Sequence, residues 1–308
     1  MKKHRKEFPI GKMAKVLKVS CSGYYKYINK KESPREKENR ELIQAIKAIH
    51  KKNRGVYGSP RIHAILKKQG KTCSRKRVAK IMKDNGIQAK TKRKWKTTTK
   101  ATKDPSRIAP NLVNQNFIVT EKNRVWVSDI TYIETGEGWL YLAATMDLYS
   151  RMLVGLSMSS RMNTNLVERS LEQAICRRTP QVGVIAHSDR GSQYTSDQYK
   201  KHALKHGIRL SMSSTGNCFD NAAMESFFHT LKTEHTFFQK YSTRAEAIQS
   251  IFEYVEVFYN RQRLHSTLGY LSPHEFEKQQ SLKETEKTGG LALFASSAKE
   301  VNLPVCFV

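Results

Sequence analysis

The sequence predicts an α/β protein, a mixed five-stranded sheet with flanking helices, preceded by an all-α basic region. Three observations carry that prediction. Of a formal net charge of +28 over 308 residues, residues 1–110 hold 34 Lys/Arg against 7 Asp/Glu, which leaves the remainder nearly neutral. That first third shows apolar residues at helical spacing, the remainder opens with three β-rich runs, and these give way to alternating helical and strand patterns. Charge so one-sided fits a module that meets a polyanion, joined to a neutral domain with another task.

In "PIGKMAKVLKVSCSGYYKYI", Met13, Val16 and Leu17 share a helical face and Ser20 can cap a second helix, a small helix-turn-helix over residues 1–34. A second occupies 35–90. Leu42, Ile46 and Ile49 face inward on its first helix, Ile62, Ile65 and Leu66 on the next, and Ser74 caps "RKRVAKIMKDNG", where Val78, Ile81 and Met82 make the core and Gly86 the stop. The outward face of this last helix offers Arg75, Lys76, Arg77, Lys80 and Lys83, the array expected of a helix lying in a major groove. A three-helix bundle whose basic face meets only solvent is the alternative. Residues 91–115 read as an extended basic linker rich in Lys and Thr.

The remainder, 116–280, begins with "RVWVSDITYIE", "GWLYLAATMDLY" and "RMLVGLSMS", a three-stranded antiparallel meander. A helix ("NTNLVERSLEQAICRR"), a buried strand ("VGVIAHSD"), a helix ("SDQYKKHALKHG"), a strand ("IRLSMSS") and helices over 220–235 and 243–261 follow. Residues 281–308 lack a pattern and form an unassigned tail. Five scattered cysteines without C-x-x-C spacing argue against a zinc site or a disulfide framework, and no apolar run is long enough to span a membrane, so a reduced cytoplasmic location is expected.

Three acids stand out. Asp129 interrupts an apolar strand, Asp189 follows the carboxyl end of a buried strand, and Glu225 sits at the margin of a helical core stripe made by Met224, Phe227, Phe228 and Leu231. Singly they read as a bulge or edge residue, a turn former and a solvated helix charge. Together they suit Mg²⁺, a hard cation that takes a few carboxylates, keeps waters and shares phosphate oxygens. Nucleophilic triads fare worse, because His187, Ser188 and Asp189 are consecutive and cannot converge, and no phosphate-binding G-x-x-x-x-G-K-[ST] loop occurs.

Thirty-five residues separate Asp189 from Glu225, and the settings "WVSDITYI", "HSDRGSQYTS", "DNAAMESFFHTLKTE" and "YNRQRLHSTLGYLSPHEF" occur in that order. In these segments, and in "FPIGKMAKVLKVSCSGYY" and "GVYGSPRIHAIL", the chain resembles the OrfB product of the bacterial IS-three family of insertion-sequence transposases, whose catalytic core is of the retroviral-integrase type. The resemblance covers roughly residues 8–277. It implies an RNase H-like fold in which Asp129, Asp189 and Glu225 are the DDE triad holding two Mg²⁺ or Mn²⁺ ions. It also implies cleavage of element ends and their joining to DNA by a 3′-hydroxyl, with Lys232 on DNA near the scissile phosphate and Arg263 and His265 as supporting groups. DNA, further copies of the chain and an upstream OrfA product, separate or fused, are the implied partners, and a nucleoid association follows. An RNase H-like nuclease that cannot join ends and a non-catalytic DNA-binding regulator are the competing readings.

Overall fold

A computed structural model of the protein describes residues 1–29, 32–90, 108–113, 119–213 and 221–287. Most of the expected linker (91–107), Cys218, Asp220 at the start of the "DNAAMES" motif, and the tail from 288 lie outside the described residues. The chain divides into two units, Met1–Ala89 and Lys90–Val308.

The first unit is helical: α1 (Ile10–Val16), α2 (Cys21–Ile28), α3 (Pro34–Lys52), α4 (Ser59–Lys68) and α5 (Arg75–Asp84). Its starts are written in the sequence. Ser33 and Glu36 form a capping box at α3 with Pro34 as first helical residue, while Ser20 and Ser74 accept amide hydrogens from Gly23 and Arg77. Leu42, Ile46 and Ile49 of α3 are buried, as are Ile62 and Leu66 of α4 and Val78, Ile81 and Met82 of α5. The expected inward stripe of α1 does not form. Ala14 is its buried residue, whereas Val16 is 80% and Leu17 57% exposed. Helices of seven and eight residues present too little surface to enclose a core of their own.

The second unit holds the sheet. β1 (Val125–Thr135), β2 (Gly138–Asp147) and β3 (Leu153–Ser159) form the antiparallel meander, and β4 (Ile185–Ser188) and β5 (Arg209–Met212) extend it in the order β3-β2-β1-β4-β5. β1 pairs antiparallel with β2 and parallel with β4, so it lies at the centre and is the strand on which the sheet changes sense. α6 (Thr164–Arg178) and α7 (Asp197–Lys205) follow β3 and β4, and their Leu166, Leu171, Ala174, Tyr199 and Ala203 share one core with Trp126 and Ala186 of the sheet. Gly155 of β3 explains how closely α6 sits. A Cβ there would lie 2.0 Å from the carbonyl oxygen of Ser170, so only glycine admits the helix at this distance.

Three helices complete the unit: α8 (Ala222–Glu234), α9 (Arg244–Glu253) and α10 (Pro273–Lys287). α9 continues into a π-helical turn over Tyr254–Tyr259, which buries Tyr254, Val255, Phe258 and Tyr259. α10 runs past residue 280, where the sequence reading begins an unassigned tail.

Candidate active site

The register of the sheet places two of the three acids. β1 and β4 pair in parallel as Val125↔Ile185, Trp126↔Ala186 and Val127↔His187, a constant offset of 60. Asp129 and Asp189 differ by the same 60, so extending that register two residues beyond its last pair, and one residue past the end of β4, brings the two acids to the same row, on backbones about 4.8 Å apart. Side chains in one row of a parallel pair project to the same face. The third acid comes from α8, which packs on β1, and the side-chain amide of Asn221, just before the helix, donates to the carbonyl of Ser128 at 3.1 Å. That hydrogen bond ties the start of α8 to the residue preceding Asp129.

The electrostatics report the convergence. Burial, then the nearby Asp189 carboxylate and that of Glu225, push the Asp129 carboxyl up to about 8, although Oδ1 accepts the Ile130 amide hydrogen at 2.8 Å and Lys232 pulls the other way. Burial raises Asp189 as well, against an amide hydrogen bond from Gly191 at 3.0 Å. A Cβ at Gly191 would stand 3.0 Å from Asp189 Oδ1 and 3.1 Å from Gln193 Oε1, so a larger residue there would press on this candidate catalytic carboxylate. Glu225 is exposed on α8, and partial burial raises its carboxyl. Both other carboxylates raise the proton affinity of Asp129, so the cluster calls for a nearby cation.

Lys232 is the cation nearest to serving that purpose. Burial lowers its ammonium and Asp129 raises it, and Nζ lies 5.0 Å from the centre of the Tyr132 ring, which itself stands edge-on to Trp139. The aromatic pair holds the lysine stem beside β1, within electrostatic reach of Asp129.

Other expected residues behave differently. The sequence expectation puts Arg263 and His265 beside the acids. Arg263 is instead 5% exposed and clamps Glu234 with two hydrogen bonds of 2.7 and 2.6 Å, joined by the Tyr254 hydroxyl at 3.1 Å. Glu234 lies nine residues beyond Glu225, about 13 Å along α8 at 1.5 Å per residue, so Arg263 anchors the far end of the helix that carries Glu225. His265 packs edge-on against Tyr259, next to Arg263. In the first unit Arg75, Lys76, Lys80 and Lys83 are exposed, as an outward basic face requires. Arg77 is not among them: its guanidinium turns back to α3, donating to Asn39 at 2.9 Å and Glu38 at 3.0 Å.

The sequence reading missed two groups. Tyr194, from the turn after Asp189, is fully buried; its hydroxyl finds no hydrogen-bond partner among the described residues, and burial, then Asp129 and Asp189, raise it well above the usual phenol range. Asp147, at the end of β2, is buried and accepts amide hydrogens from Asn123 at 2.8 Å and Tyr149 at 3.0 Å; burial pushes its carboxyl up to about 6. It fixes the turn into β3 and the entry of β1. The aromatic residue in "SQYTS" was the only signal for the first, and an acid ending a β-run the signal for the second.

This chain matches the integrase core domain over residues 119–218 and again over 225–282, and an HTH-like domain over residues 37–95. It is 45% identical over 82% of its length to the whole of the transposase for insertion sequence element IS904 of Lactococcus lactis. To the transposase InsF for insertion sequence IS3A of Escherichia coli it is 39% identical, over 90% of this chain and 96% of that protein. To the IS600 uncharacterized 31 kDa protein of Shigella sonnei it is 42% identical, over 86% of this chain and 97% of that one. An integrase-type core behind a helix-turn-helix unit defines a transposase of the DDE class, and the chain belongs to the IS-three family of insertion-sequence transposases. Among the described residues no helix is long and apolar enough to cross a membrane.

Proposed function

We propose that Asp129, Asp189 and Glu225 are the catalytic acids of this transposase and hold two Mg²⁺ or Mn²⁺ ions for cleavage and strand transfer at the ends of its insertion sequence. The observation that carries the reading is the shared row of Asp129 and Asp189, together with an Asp129 carboxyl pushed up to about 8 by burial and by both other acids. The donor set fits a hard cation, since all three ligands are carboxylates. Their oxygens are not all within 4.8 Å of one another. A single ion would demand that, whereas a pair of ions would be held by more widely spaced carboxylates.

When bound, such ions activate the attacking oxygen and stabilise the leaving one in an in-line phosphodiester exchange. The chain's own groups supply the rest. The strand pair fixes Asp129 and Asp189 relative to each other, α8 brings Glu225 across them, and Lys232 presents a cation to a DNA phosphate beside Asp129. The side chains of Arg75, Lys76, Lys80 and Lys83 would bind backbone phosphates or base edges through α5. Synapsis of two element ends calls for more than one copy of the chain, and an OrfA product, separate or fused, would complete the assembly.

A Mg²⁺-dependent joining assay on DNA carrying the flanking inverted repeats tests this, with and without the upstream product. Asp129→Asn, Asp189→Asn and Glu225→Gln should each abolish cleavage and joining while binding to the same DNA persists. Joining by any of the three would overturn the assignment. Cleavage without attachment of a labelled 3′-hydroxyl end to target DNA would leave a nuclease, and absence of both with binding intact a regulator.

A further inference from the structure

On another pair of packed helices, α6 and α7, a second group of metal-ligating side chains converges that the phosphodiester chemistry does not use. His202 and His206 are four residues apart on α7, which puts both rings on one helical face, with centroids 5.1 Å apart. Glu172 reaches them from α6: its Oε2 lies 3.0 Å from His202 Nε2 and 3.7 Å from His206 Nε2. Among the described residues this is the one trio of His, Cys, Asp or Glu side chains whose ligand atoms all lie within 4.8 Å of one another.

Two features separate it from an ordinary ion pair. Glu172 Oε2 and His202 Nε2 are shielded from solvent, yet neither makes a hydrogen bond to any described group, so their 3.0 Å approach lacks donor–acceptor alignment. Around a tetrahedral ion with ligand bonds of roughly 2.0–2.1 Å, neighbouring ligand atoms stand about 3.3 Å apart, and the separations of 3.0 and 3.7 Å bracket that figure. The other oxygen of the carboxylate is also held, since the Cys176 thiol, one turn along α6, donates to Oε1 at 3.4 Å. A contact of that kind orients a ligand from behind.

We propose that Glu172, His202 and His206 form a divalent transition-metal site, best suited to Zn²⁺, that pins α6 to α7 independently of the acid cluster on β1, β4 and α8. Two imidazoles and one carboxylate are the donor set of a borderline cation with an open fourth position, and they select against Mg²⁺, which takes oxygen ligands. Since α6 and α7 share the core beneath the sheet, an ion between them would clamp one whole flank of the catalytic unit.

The test uses the full chain, stripped with a chelator and dialysed against limiting Zn²⁺ in excess Mg²⁺, with bound zinc counted by mass spectrometry. One equivalent should be retained by the natural sequence and by Asp129→Asn. It should be lost from His202→Gln/His206→Gln and markedly reduced in Glu172→Gln. Zinc should also raise the melting temperature of the natural chain and leave that of the double variant unmoved. Should the double variant fold poorly, ¹⁵N-histidine spectra of the unaltered chain decide the matter: two imidazoles must shift together on adding one equivalent of Zn²⁺. Zinc uptake that is unchanged in the double variant, or a folded natural chain that takes up none, overturns the site.

Discussion

Replacing Asp129 with asparagine should remove catalysis and, without divalent metal, make the fold more stable. The metal-free site pushes the Asp129 carboxyl from 3.8 to about 8, through burial first and then Asp189 and Glu225. Below pH 3.8 both folded and unfolded chains carry the proton, and no penalty arises. As the pH climbs from there to about 8 the unfolded chain releases it while the folded one keeps it, so stability is progressively lost across that window and the loss is complete above it. Four units at 1.36 kcal/mol each set a ceiling of about 5–6 kcal/mol. Water that reaches the half-buried carboxyl screens the interaction, and about 2–3 kcal/mol is the working figure. Asparagine is neutral throughout and keeps an oxygen for the Ile130 amide. The difference between Asp129→Asn and the natural chain should therefore grow from near zero at pH 4 to about 2–3 kcal/mol at pH 8.5 in chelator. For a folding unit of about 200 residues that corresponds to roughly 4–12 °C. Thermal unfolding followed by tryptophan fluorescence reads it, because Trp126 is buried on β1 beside the site. Mg²⁺ should then raise the melting temperature of the natural chain and leave the variant where it was. A variant that melts at or below the natural chain at pH 8.5 in chelator would refute the reasoning, because no unbalanced charge would then reside at this position.

Arg263→Met should cost about 3–5 kcal/mol by leaving Glu234 buried without its cation, and Glu234→Gln in addition should recover much of that in urea unfolding. Lys80→Ala should lower the slope of log affinity against log salt by about 0.9 with the melting temperature unchanged. Arg77→Ala should do the reverse, losing about 1 kcal/mol of stability in the first unit through its bonds to Asn39 and Glu38. Gly155→Ala should cost about 3 kcal/mol or more, the helix being forced off the sheet, and a soluble variant of natural melting temperature would contradict the close approach of α6. Tyr194→Phe should leave stability equal or raise it by about 1 kcal/mol, since a buried hydroxyl without a partner among the described residues contributes nothing favourable; a loss of more than that would reveal a hydrogen bond to the acid cluster.

Much of this was legible because local rules and global fold agree. The three β-runs of the meander appear within a residue or two of their expected bounds, and each expected serine cap of the basic helices accepts the predicted amide hydrogen. Asp129 was conspicuous because a carboxylate in an apolar strand needs a reason. What could not be read was adjacency. Nothing in a single sequence states that β4 inserts beside β1 rather than beside β3, and the shared row of Asp129 and Asp189 depends on that choice alone. Arg77 fell on the basic side of a helical wheel, but a wheel does not contain α3, whose Asn39 and Glu38 draw the guanidinium inward. The missed α10 did carry a signal: Ser272-Pro273-His274-Glu275 is a capping box with proline at the first helical position, and Ser272 and Glu275 make both of its hydrogen bonds.

The parts of the acid cluster are held in unequal ways, and this bears on how it works. Asp129 and Asp189 inherit their spacing from backbone pairing at the centre of the sheet, the least deformable part of the unit. Glu225 depends on the pose of α8, which is fastened at its start by Asn221 to Ser128 and at its end by the buried Glu234–Arg263 pair. Glu225 lies between these fastenings, and its carboxylate adds to the charge that raises Asp129. In the proposed site the strand pair would position two of the ligands and α8 would carry the third. The trailing "YNRQRLHSTLGYLSPHEF" segment thus acts at a distance from the acid cluster, because its Arg263 holds the far end of the helix that carries Glu225.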